Sequence, residues 1–143
     1  MGMQAAPRDR IARACRRLGT TAFIARCLDL LAGGEEDPSF VTMLGGPHAT
    51  RLLDRGLPAD QEYWIRVWAA RGLLWAGPGD RPQVLRLALR DDVWRVREMT
   101  CKVVARHRIG ELLDDVARLE SDETPRVRRA AERAIVRIVD GQA

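Results

Sequence analysis

The chain has 143 residues, of which 46% are hydrophobic and 31% charged, with a formal net charge of +4. That is one domain's worth of chain, and no run reaches the ~18 consecutive apolar residues that a membrane helix needs. Three cysteines, two histidines and two serines are a thin inventory for nucleophilic or metal chemistry, so no catalytic residue, metal site or cofactor is assigned and the chain is read as a non-enzyme.

In chain order, Arg8, Asp9 and Arg10 lead into an amphipathic stretch rather than the continuous apolar core of a secretory signal, which predicts a cytoplasmic protein. Ile11, Cys15 and Leu18, followed by Phe23, Ile24, Cys27, Leu28 and Leu31, predict one helix broken near Gly19, or two. Gly33 to Asp37 reads as a loop, and Asp37-Pro38 opens a short helix through Leu44. Short helices are predicted over 47–55 (Leu52, Leu53), 82–90 (Val84, Leu85, Ala88, Leu89) and 111–120 (Leu112, Leu113, Val116, Leu119). A longer helix follows each of them. Breaks fall at Gly45-Gly46, Gly56-Leu57-Pro58, Gly77-Pro78-Gly79 and Gly110. No segment alternates in the manner of a strand. Cys15, Cys27 and Cys101 lie within apolar patterns, are odd in number and match no metal spacing, so they are read as reduced core residues.

The last long helix starts at Thr124-Pro125, a capping residue before a proline at the first helical position. Its face is Val127, Ala130, Ala131, Ala134, Ile135 and Ile138. Stepping back 31 residues gives Val96, Met99, Thr100, Val103, Val104 and His107, and a second step gives Ile65, Trp68, Ala69, Gly72, Leu73 and Ala76. Asp60, Asp91 and Asp122 share that interval, as do Arg66, Arg97 and Arg128. A fixed period of this size marks stacked helix pairs that cannot bury their apolar faces alone. The expected fold is all-α, an α-solenoid with repeats over 47–78, 79–109 and 110–140, and with residues 1–46 as a degenerate helical cap, in a single domain spanning 1–143.

The segments Asp91-Asp92-Val93-Trp94-Arg95-Val96-Arg97 and Asp122-Glu123-Thr124-Pro125-Arg126-Val127-Arg128-Arg129-Ala130-Ala131 resemble the HEAT-repeat family over roughly residues 47–140. The resemblance implies a right-handed stack of antiparallel helix pairs whose second helices line a concave side. It also implies that the Asp/Arg series is a structural ladder. Trp94 and Tyr63 stand where that family favours proline, and Trp68 stands where it favours small residues.

Each aspartate precedes a helix N-terminus, where negative charge is favourable, and each arginine is placed to bridge its own aspartate and that of the next repeat. On the long helices a second stripe, well separated from the apolar face, carries Arg126, Arg129, Arg133 and Arg137. One interval earlier it carries Arg95, Glu98, Lys102 and Arg106, and before that Trp64, Val67, Arg71 and Trp75. The candidate partner-binding residues are all of these except Glu98 and Val67. The +4 surplus itself lies in residues 1–18, and residues 91–143 carry eleven basic and eleven acidic groups.

Such a stripe suits an acidic protein or peptide. It also suits a phosphate backbone with indoles available for stacking, because some HEAT-like proteins bind or repair alkylated DNA. It equally suits a merely solvated face, with arginines paired to acids such as Glu132. Trp64 and Trp75 are either exposed on the stripe or packed under the cap. His48 is read as a helix N-terminal residue. HEAT-like repeats also occur in chromophore-lyase subunits, although no residue here points there. An end face within 111–140 could pair two copies.

Overall fold

The computed structural model describes residues 5–141. The first four residues of the expected cap and the last two of the expected domain lie outside that range. Among the described residues the chain is all-helical, with nine α-helices, three short 3-10 turns and no strand.

Two helices, not one, open the chain: α1 (Pro7–Leu18) and α2 (Thr20–Leu31). They divide at Gly19, whose φ of 87° lies where a side chain is strained. Helix α3 (Pro38–Gly45) is capped by Asp37, whose carboxylate accepts from the Phe40 N–H at 2.9 Å. Then come α4 (Pro47–Asp54), α5 (Tyr63–Ala76), α6 (Pro82–Ala88), α7 (Trp94–His107), α8 (Leu113–Arg118) and α9 (Pro125–Gly141). The segment expected as one helix over 111–120 is α8 flanked by 3-10 turns at Gly110–Leu112 and Leu119–Ser121. A helix this short has few internal bonds, and its ends tighten to satisfy orphan groups.

The long helices pack in succession, α2 on α5, α5 on α7 and α7 on α9. Helices α1 and α3 also rest on α5, α6 packs on α7, and α8 packs on α9. Burial follows the 31-residue register closely. The third position of the face (Ala69, Thr100, Ala131) and the fourth (Gly72, Val103, Ala134) are fully buried in all three helices. His107, the polar member, places Nε2 2.9 Å from the Leu73 carbonyl, so that ring nitrogen donates across to α5.

The first predicted pair departs from the other two. Helix α4 packs mainly on α3 rather than on α5. Its His48 ring stands edge-on to Trp64 (4.8 Å between centroids) and Trp68 (5.2 Å), and these bulky rings hold the two backbones apart. Trp68 is 2% exposed because Gly45 makes room for it; a Cβ at Gly45 would lie 2.7 Å from the indole. Gly72 performs the same service in α5. A Cβ there would lie 2.7 Å from Cys27 Sγ and 3.3 Å from both Leu44 and Phe23, all fully buried. The position that looks weak by hydrophobicity is therefore one where side chains of α2 and α3 pack directly against the α5 backbone.

Gly72→Ala is expected to destabilise the fold by about 1–3 kcal/mol through overpacking. Adding Cys27→Ala, which removes the obstructing sulfur, should recover part of that loss in a urea-melt double-mutant cycle. Strict additivity of the two changes would show that the seam is not tightly packed there.

Candidate partner-binding groove

The Asp/Arg series forms two complete rungs. Arg66 Nε and Nη2 donate to the Asp91 carboxylate at 2.7 and 3.0 Å, and Arg97 does the same to Asp122 at 2.9 and 3.2 Å. The remaining Nη1 turns back to a backbone carbonyl of its own repeat, Arg97 to Asp91 at 2.7 Å and Arg128 to Asp122 at 2.7 Å. Arg66 and Arg97 thus each meet the carboxylate one interval beyond their own, and Arg128 meets none among the described residues. In its own repeat Arg97 and Arg128 meet the backbone carbonyl rather than the carboxylate. Asp91 and Asp122 also accept from the N–H groups of Val93 and Thr124, both at 2.9 Å, just before α7 and α9 begin.

Asp60 does not join the ladder. It is exposed in the 3-10 turn Ala59–Gln61 and has no ion pair among the described residues. The residue one interval before Arg66 is Glu35, so no guanidinium precedes Asp60 in the register.

The basic stripe comes together between α7 and α9. Two adjoining depressions share Lys102, Ala105 and Arg133. One adds Glu98, Arg126, Arg129 and Ala130, and the other adds Leu74, Arg106 and Arg137. Small residues on the floor leave the space, and long cationic side chains form the walls. Glu98, the single acid of the stripe in these helices, is 8% exposed and already accepts from Arg126 Nε at 2.9 Å. Lys102, Arg106, Arg129, Arg133 and Arg137 have no ion-pair partner among the described residues, and neither does Glu132.

Trp64, Trp75 and Trp94 are half-buried, and cations cover them. The Arg95 guanidinium lies 5.1 Å from the centroid of Trp64 and 4.5 Å from that of Trp94, and Arg126 lies 5.3 Å from Trp94. Indole and guanidinium therefore alternate from α5 through α7 to α9. Trp64 additionally stacks on Trp68 and donates from Nε1 to Gln61 at 3.2 Å. Trp75 lies under Arg106 at 4.6 Å and Arg8 at 5.7 Å. Trp94, noticed in the sequence only as a departure from a family pattern, organises this row; its signal was an aromatic ring directly beside Arg95 at a helix start.

Arg71 stands apart from the groove. It is half-buried and donates to the Leu44 carbonyl at the end of α3 (3.3 Å). Burial, and then the charge of Arg10, lowers its pKa below the ordinary guanidinium value. Cys27 and Cys101 are buried, as expected, and Cys15 is half-buried. Burial pushes the Cys101 thiol up to about 12 and raises that of Cys27 further. Among the described residues no group of three or more His, Cys, Asp or Glu is placed to hold a metal ion, and no helix is long and apolar enough to cross a membrane.

The chain matches no family model, no curated protein and no solved structure.

The ladder generates a pH-dependent expectation. Burial alone would raise the Asp122 carboxyl, but the hydrogen bonds from Arg97 and the Thr124 N–H, with the charges of Arg97 and Arg128, hold it below its ordinary value. A carboxyl depressed on folding stabilises the fold above its unfolded pKa, about 3.9, and that contribution is lost as pH falls through the folded value. Asp122→Asn should cost about 3–5 kcal/mol at neutral pH, because Arg97 is left almost buried and unpaired. The gap between wild type and variant should narrow below pH ~4. Chemical denaturation across pH measures it, and a pH-independent gap would contradict the assignment.

Proposed function

We propose that this chain is a non-catalytic HEAT-like module. It is a right-handed α-solenoid of three helix pairs (47–78, 79–109 and 110–140) behind a helical cap, and it binds an acidic protein segment along the α7/α9 groove. The observation that carries this reading is the charge balance of the groove. Among the described residues five cations line it without an ion-pair partner, and the one acid in its lining, Glu98, is spent on a sixth. Like charges held together by the fold repel one another and attract an anionic ligand. Arginine's planar fork suits carboxylates and phosphates alike, since it donates two parallel hydrogen bonds to one group.

The successive packing of α5, α7 and α9, the shared burial pattern and the two Arg–Asp rungs support the repeat architecture. The covered indoles favour a protein ligand over single-stranded nucleic acid. Base stacking needs an open ring face, and Arg95, Arg106 and Trp68 already occupy faces of Trp64 and Trp75. Glu98, the one carboxylate that base chemistry could have used, is engaged by Arg126.

Titration of a fluorescent glutamate-rich peptide and of duplex DNA, each across a salt series, tests the reading. The peptide should bind at low salt, and the double variant Arg133→Glu/Arg137→Glu should weaken it by about tenfold or more. No peptide binding, or binding indifferent to the reversal, would remove the groove from the account. Tighter binding of DNA than of peptide, with a steep salt slope, would replace the acidic segment with a phosphate backbone.

A further inference from the structure

Helix α7 shows what the outer side of a long helix is for. Arg97 and Glu98 reach Asp122 and Arg126 of the last repeat, and Cys101 and Ala105 continue the same side by helical spacing. All four are covered, at 8, 8, 0 and 7% exposed. One interval later the corresponding side of α9 is Arg128, Arg129, Glu132 and Val136, of which Arg128 is half-buried and the other three are exposed. Val136 is 57% exposed, and Val139, on the same side, is 50% exposed.

Arg128 repeats the geometry of the inner arginines with half of it unused. Its Nη1 donates to the Asp122 carbonyl, as Arg97 Nη1 does to that of Asp91. The Nε–Nη2 edge, which in Arg66 and Arg97 grips a carboxylate, has no partner among the described residues. The guanidinium is thus oriented in advance by the same backbone bond, with its carboxylate-binding edge free.

The charge order along this side is self-complementary. Arg128 and Arg129 stand at its N-terminal end, Asp140 at its C-terminal end, and Val136 and Val139 lie toward the acidic end. A two-fold interface places the same patch on itself and requires that kind of order. We propose that the α9 outer face is a homodimer interface in which α9 lies antiparallel to α9 of a second copy, with the two-fold axis beside residue 134. In that register Arg128 meets Asp140 of the other copy, Val136 meets the stem of Glu132, and Val139 packs on the stem of Arg129. Each contact occurs twice. The contact is one helix wide and about 18 Å long between Arg128 and Asp140, so the dimer is of the weak, concentration-dependent kind.

Sedimentation velocity from low to high micromolar protein reads the result. Wild type should move from monomer to dimer with increasing concentration. Asp140→Arg should raise the dimer dissociation constant about tenfold or more, and Val136→Asp, at a site exposed in the monomer, should do the same without touching the ladder. The double variant Arg128→Glu/Asp140→Arg, which exchanges the charges on both copies, should regain most of the wild-type association. Wild type that stays monomeric throughout, variants that dimerise like wild type, or a charge exchange that restores nothing would overturn the proposal. Neither of the arginines reversed in the peptide test is changed here, so the groove and the interface can fail separately.

Discussion

The joint between Arg97 and Asp122 carries more of the architecture than any other single contact. One guanidinium uses two of its edges for two successive long helices. Nη1 fixes the turn that begins its own helix, and the Nε–Nη2 edge fixes the turn that begins the next. The aspartate it grips also accepts from a backbone N–H of that turn. The joint therefore sets where each long helix starts relative to its neighbour, and hence the stagger between α7 and α9. That stagger brings Lys102 and Ala105 alongside Arg129 and Arg133, so a bond on the helix-start side decides the charge pattern in the groove. Both partners are nearly desolvated, with side chains 10 and 8% exposed, so the bidentate geometry has to compensate for the lost water.

The repeat interval, the helix starts at Pro38, Pro82 and Pro125, and the buried face of the three long helices were all legible in the sequence, because each depends on a local rule: period, proline position or capping residue. What depended on residues outside the register was not legible. Arg71 turns to the Leu44 carbonyl because α3, from the non-periodic N-terminal region, ends against α5. Helix α4 stands off α5 because His48 is wedged against two indoles that pattern alone cannot orient. The missing first rung could have been read in advance, since Glu35 occupies the place where an arginine would have to stand. The candidate stripe was legible on α7 and α9, where helical geometry alone sets the side. It failed to extend to α5 as an open surface because its indoles take up the arginines of the next helix.

Elsewhere on the molecule several carboxylates are held in ion pairs. Asp115 is held by Arg86 at 3.1 Å and Arg118 at 2.7 Å, Glu36 by Arg26 at 2.6 Å, and Asp29 by Arg81 at 2.9 Å. These pairs lie among the short helices and the N-terminal helices, away from the α7/α9 groove. The C-terminal half is neutral in sum, yet six of its eleven basic residues line one groove. Segregation, not surplus, produces the field there, and the pI of about 9.6 is a poor guide to where an anion would settle.

The two inert thiols occupy different seams of the helix row. Cys27 sits where α2 meets Gly72 of α5, and Cys101 lies on the side of α7 that α9 covers. Neither is accessible, and neither ionises readily in the closed fold. A thiol reagent can reach each only when its own seam opens, so alkylation rates at the two positions report separately on breathing at the two ends of the molecule. The chain carries its own pair of stopwatches for that motion.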